Sequence, residues 1–91
     1  MSRYRVLVEV SLRPGIADPQ GSTIERSLPA LGFEGIESVR VGKAFRFDIE
    51  ADDETSARTT VDGLCQRLLA NPVIEVSAVT VTAAVGEPAS R

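Results

Sequence analysis

From Arg3 to Leu12 apolar side chains fall on alternate positions: Tyr4, Val6, Val8, Val10 and Leu12 stand against Arg5, Leu7, Glu9 and Ser11. That is the period of a half-buried β-strand. Pro14-Gly15 breaks the alternation, and Asp18-Pro19 then pairs an N-cap side chain with a proline at the first helical position, where its missing N–H costs nothing. In the helix so predicted, Ile24, Leu28 and Leu31 form one apolar stripe expected to face a sheet, and Gly32 stands at the C-cap. Pro29 conflicts with a regular helix: it deletes the bond to Glu25 and clashes there at about 3 kcal/mol, so a kink or an early tightening is expected.

Ile36–Val41 and Ala44–Ala51 both read as strands, joined at Gly42-Lys43, where glycine suits a two-residue hairpin turn. In the second of them Phe45, Phe47 and Ile49 share one face, and Arg46, Asp48 and Glu50 the other. Asp52-Asp53-Glu54-Thr55 is a helix start, after which Ala57, Val61, Leu64, Cys65, Leu68 and Leu69 follow the helical template until Asn71-Pro72 stops it. Val73–Thr82 is β-branched, with Ile74, Val76 and Ala78 on one side and Glu75, Ser77 and Val79 on the other. The order βαββαβ within residues 1–82 predicts a single α+β domain, a ferredoxin-like plait: a four-stranded antiparallel sheet with both helices on one face. Residues 83–91, small and aperiodic, read as a flexible tail. The opposite sheet face is expected to expose Arg5, Leu7, Glu9, Arg46, Asp48, Ser77, Val79 and Val81, a mixture suited to a partner surface.

Composition removes most chemistry. Across 91 residues, 10 Lys and Arg face 13 Asp and Glu, with no basic run to neutralise a phosphate backbone, so nucleic acid is not an expected partner. The single cysteine, Cys65, lies on the apolar stripe of the second helix and the chain has no histidine, so a core role is expected for it, not a nucleophile or a metal ligand. The acids Asp48, Glu50, Asp52, Asp53 and Glu54 divide between a strand face and a helix start, where carboxylates complement the dipole. The glycines form no phosphate loop. No apolar run reaches the length of a membrane span and no signal region precedes the first strand, which fits the cytoplasm. Catalytic, cofactor and metal sites are therefore expected to be absent. The remaining candidates are docking residues: Arg13, Pro14, Gly15, Asp18, Pro19, Gln20 and Gly21 in the first loop, Arg40, Gly42 and Lys43 at the expected hairpin tip, and Asn71 with Pro72. Each also has a plainer reading as turn, cap or solvated tip.

Four segments in order, Arg13-Pro-Gly-Ile-Ala-Asp-Pro-Gln-Gly21, Leu31-Gly-Phe33, Val39-Arg-Val-Gly-Lys43 and Leu69-Ala-Asn-Pro-Val-Ile-Glu75, resemble the PurS subunit family of phosphoribosylformylglycinamidine synthase. Pro29 departs from that pattern, in which an ordinary helix former precedes Leu-Gly-Phe. The resemblance implies a small non-catalytic subunit of a purine-biosynthesis ligase, a homodimer or dimer of dimers. It would bridge a PurQ-like glutaminase to a PurL-like synthetase and assist ammonia transfer. ATP and Mg²⁺ would serve the complex, with none bound by this chain. Other uses of a plait compete with this reading. The main alternative is an ACT-like domain sensing small molecules. An acylphosphatase-type enzyme needs an arginine and asparagine around a phosphate loop, and an RNA-recognition module needs exposed aromatics on its central strands. Neither set is found, because Phe45 and Phe47 are expected to face the core.

Overall fold

The computed structural model describes residues 1–84. The expected residues 85–91 of the tail lie outside the described residues; Ala83 and Ala84 are ordered at the sheet, the Ala84 N–H donating to the Arg3 carbonyl at 3.1 Å.

Among the described residues three strands form, not four. β1 (Ser2–Leu12) lies between β2 (Gly42–Ala51) and β3 (Glu75–Ala83), antiparallel to both. Helix α1 (Pro19–Ser27) follows β1, and α2 (Glu54–Leu64) connects β2 to β3. In the central strand Val6 stands between Phe47 and Val81, and Val8 between Phe45 and Val79. Helix α2 lays Ala57, Val61 and Cys65 over them, and these residues with Val10, Ala51 and Val81 make the buried core. Removing a valine of this kind from water stabilises the fold by about 1.5–3 kcal/mol. Asp53 caps α2 as expected, accepting the Ser56 N–H at 2.8 Å. At its other end the helix widens into a π turn over Cys65–Leu69, closed by the Ala70 N–H on the Cys65 carbonyl at 2.9 Å. The wider turn brings Leu69 and Ala70 against the core and leaves Leu68, expected on the apolar stripe, exposed.

The predicted hairpin is absent. Residues 36–41 form no strand, Ser38 taking a left-handed φ of 62°, and Gly42 takes no positive φ; it pairs with Ser11 so closely that a Cβ there would lie 2.6 Å from the Val10 carbonyl oxygen. Carboxylates of the α1 region take the N–H groups that a strand would use: Glu25 accepts from Val39 at 2.9 Å and Asp18 from Val41 at 2.8 Å. Gly21 permits this approach, since a Cβ on it would collide with the Val39 carbonyl.

Helix α1 is thereby held against residues 36–41, and the stripe expected to face the sheet is largely in solvent, Ile24 being 41 % and Leu31 68 % exposed. Among the described residues α2 is the helix that covers the sheet. Pro29 acts as expected: α1 stops at Ser27, a 3₁₀ turn spans Pro29–Leu31, and Gly32 closes it at φ 93° with the Phe33 N–H reaching back to the Leu28 carbonyl.

The faces of β3 are the reverse of those expected. Pairing with β1 turns Val79 and Val81 toward α2 and places Val76, Ala78, Thr80 and Thr82 beside Leu7 and Glu9 on the open face. Apolar residues occupy both registers of this strand, so its own periodicity does not choose between them; the contact with α2 does.

Candidate docking site

All the docking candidates gather at one end of the sheet, where Ser11 opposes Gly42 and Leu12 opposes Glu75. Arg13 leaves β1 and binds the Asn71-Pro72 turn with three donors. Its backbone N–H reaches the Ile74 carbonyl at 2.8 Å, and Nε and Nη2 reach the Pro72 carbonyl at 3.2 and 2.7 Å. Pro14-Gly15 then turns the chain, with Gly15 at φ 88° and the Ile16 N–H on the Arg13 carbonyl. Asp18 follows as the N-cap of α1, its Oδ1 accepting the Gly21 N–H at 2.9 Å.

Asp18 is 8 % exposed and works in two directions, because its other oxygen receives the Val41 N–H and lies 4.0 Å from Arg40 Nε. The Val41 and Gly21 N–H groups hold this carboxyl below the usual carboxylate range; burial opposes them and Arg40 assists. Arg40 also donates from both Nη atoms to the Ile16 carbonyl at 3.3 Å. Lys43 stands 4.0 Å from Glu75, whose other oxygen accepts the Asn71 N–H at 2.7 Å while the Asn71 side chain accepts from Val73. Ser11, Asp18, Pro19, Gln20, Lys43 and Glu75 line a shallow groove between these parts. Arg40 and Lys43 are thus not on a free hairpin tip. They brace the loops at the sheet's end while keeping about half of each side chain in solvent, 44 % and 55 %.

The cluster holds its loops through carbonyls, N–H groups and paired charges, and contains no nucleophile next to a base. Cys65 is 2 % exposed in the core. Asp48 is within 3.6 Å of Arg3 and Arg5, Glu50 within 3.5 Å of Arg3, and Glu54 within 3.6 Å of Arg58, which divides the sequence's acidic cluster among three arginines. Among the described residues no group of three or more His, Cys, Asp or Glu could hold a metal ion, and no helix is long and apolar enough to cross a membrane. Two residues of the cluster escape a sequence reading. Glu25 looks like a solvated helix residue, and only the path of residues 36–41 reveals its use. Glu75 could have been found from its spacing after Asn71, which suits a closed turn.

Comparison with known proteins matches residues 5–83 to the family model PurS, phosphoribosylformylglycinamidine (FGAM) synthase. The Synechocystis synthase subunit PurS is 40% identical over 83 residues, 91% of this chain and 83% of its own. The Mycobacterium leprae subunit PurS is 46% identical over 71 residues, covering 78% of this chain and 86% of its own. Among solved structures, a chain of PurLQS from Thermotoga maritima superposes with a TM-score of 0.83 at 33% identity, covering 89% of this chain and 99% of that one. PurS of Methanocaldococcus jannaschii, described as one of the subunits of formylglycinamide ribonucleotide amidotransferase in the purine biosynthetic pathway, superposes at 0.79 with 34% identity, covering 88% and 96%.

Proposed function

Because the chain belongs to the PurS family of FGAM synthase subunits, we propose that it is the small non-catalytic subunit that joins a PurQ-like glutaminase to a PurL-like synthetase and assists ammonia transfer between them. The observation that carries this reading is the likeness, over 89% of this chain and 99% of the other, to a chain of the Thermotoga PurLQS structure. The complex converts formylglycinamide ribonucleotide to formylglycinamidine ribonucleotide with glutamine and ATP. ATP and Mg²⁺ act on the synthetase, and this chain binds neither. Its place is the cytoplasm, and it works as a homodimer or dimer of dimers.

The end of the sheet is the docking site: Arg13, Asp18, Arg40, Lys43 and the Asn71-Pro72 turn, with Pro14, Gly15, Pro19, Gln20, Gly21 and Gly42 shaping its loops. What supports this is its construction. Loops cross-tied by Arg13, Asp18 and Glu75 are preorganised, and the half-exposed cations Arg40 and Lys43 have donors left for a partner's acidic groups. An ACT-like sensing role is not favoured, since the family match covers residues 5–83.

The experiment is assembly. Glutaminase and synthetase chains should co-elute with this protein as one species on a sizing column with light scattering, and should separate when it is left out. A glutaminase–synthetase species that forms equally well without it would refute the bridging role.

A further inference from the structure

The π turn Cys65–Leu69 sends Leu69 and Ala70 to the core and leaves Leu68 74 % exposed. Such turns are rare and recur at functional positions. Beyond the Asn71-Pro72 stop, Val73 is 78 % exposed on a turn that four hydrogen bonds hold rigid. The Asn71 carbonyl accepts from Ile74 and Glu75 at 3.1 and 2.8 Å, its side chain accepts from Val73 at 3.0 Å, and Glu75 accepts the Asn71 N–H at 2.7 Å. Ile74 and Val76, each more than a third exposed, continue the apolar surface to the open face, where Val76 opposes Ser11. The charges around these residues are sorted by depth. Asp18 is buried and the Glu75 side chain is 16 % exposed, while their ion-pair partners Arg40 and Lys43 stand about half in solvent. Arg13, which holds the Pro72 carbonyl, is exposed as well, as is Arg67 beside Leu68, which has no ion pair among the described residues. A partner therefore meets positive charge here, although the chain as a whole carries −3; Glu9, the next exposed carboxylate along β1, stands two residues before Ser11.

We infer that this surface receives an amphipathic acidic segment of an enzyme chain, its apolar side laid on Leu68, Val73, Ile74 and Val76 and its carboxylates set against the cations around them. A free anion would satisfy the arginines and the lysine but would leave Leu68 and Val73 in water; an apolar segment that carries carboxylates accounts for both. The work divides between the two halves of the surface. Apolar anchors at the centre of an interface carry most of its affinity and govern dissociation. Rim cations such as Arg40 and Lys43 act on association and on its salt dependence. Because the Asn71–Glu75 turn is already held by its own hydrogen bonds, presenting Val73 costs little ordering on binding. The inference rests on the bridging role and docking end proposed above, and adds the apolar anchor and the chemistry of what binds it.

Biosensor binding tests it, with this protein immobilised and the glutaminase and synthetase chains supplied separately and together. Three variants are compared with wild type: Leu68→Ser combined with Val73→Ser, Leu68→Lys, and Leu68→Glu. Both positions are exposed, so all three should keep the wild-type thermal midpoint within a few degrees. The double variant should release its enzyme chain roughly tenfold faster. Leu68→Glu should bind more weakly than Leu68→Lys at low salt, with the gap closing as salt is raised. Wild-type dissociation from the folded double variant would overturn the anchor and leave the bridging role standing. Equal binding by the Lys and Glu variants would overturn the acidic character of the segment. If the double variant lost self-association on a sizing column while its release of the enzyme chains stayed at the wild-type rate, the surface would belong to a second copy and the inference would fall. Wild-type protein that binds neither enzyme chain would overturn the inference and the bridging role together.

Discussion

Asp18 shows how much of this end of the molecule depends on one carboxylate. It starts α1 by accepting from Gly21, fixes residues 36–41 by accepting from Val41, and neutralises Arg40 at the edge of the groove. Its depressed pKa gives the interaction a sign: the stability it contributes is present above the unfolded-state pKa and lost as pH falls through the folded one. Asp53, depressed by the Ser56 N–H and hydroxyl, acts in the same direction. Thermal unfolding followed down through the carboxylate range, between roughly pH 5 and pH 2, should show a falling midpoint. Asp18→Asn should start lower and fall less; an equal slope in both proteins would show that Asp18 does not couple. At the rim, Arg40→Glu would set a second carboxylate against Asp18 and so disturb the fold as well as the surface. Lys43→Ala and Arg40→Ala are the cleaner tests. As partly exposed truncations each should shift stability by no more than about 1 kcal/mol, while their pair should weaken co-elution with the glutaminase and synthetase chains. Wild-type co-elution by a folded double variant would remove these cations from the docking site.

At the scale of elements, the periodicities were legible where one face is buried by the chain itself. The alternation in Arg3–Leu12, the caps Asp18 and Asp53, and the stop at Asn71-Pro72 all follow from local physics and stand in the structure. The failures share a cause, which is that the deciding contact is not local. Gly42-Lys43 satisfies a turn and also a close strand pairing, and Val10 with its carbonyl decides between them. The stripe Ile24, Leu28 and Leu31 has a helical period, but period alone does not say whose sheet it meets. The twelve docking candidates came from loop chemistry and do converge; of the two acids that fasten them, Glu25 carries no signal separate from an ordinary surface acid, and Glu75 carries only its spacing after Asn71. Two substitutions probe this level. Gly42→Ala must push its Cβ against the Val10 carbonyl and should cost roughly 1–3 kcal/mol by chemical denaturation, since backbone gives way poorly. Val61→Ala, deleting two methyl groups from a fully buried site under α2, should cost roughly 1–3 kcal/mol in the same experiment. A neutral Gly42→Ala would mean that the strand is not held straight by that contact.

As a whole molecule the chain is thin. It measures 52 × 33 × 16 Å with a radius of gyration of 17.0 Å, against roughly 12 Å for a compact domain of this length. One sheet covered by one helix, with a second helix standing clear, is half of a two-layer domain, and such a shape suits a subunit whose work is contact with other chains. If this chain is the proposed adaptor, its effect lies in how its partners share ammonia. The most direct measurement supplies the synthetase chain with ATP and formylglycinamide ribonucleotide, adds either glutamine with the glutaminase chain or excess ammonium salt, and follows product with and without this protein. Omitting it should collapse the glutamine-driven rate while ammonium-driven synthesis persists; equal glutamine-driven rates with and without it would contradict the adaptor role.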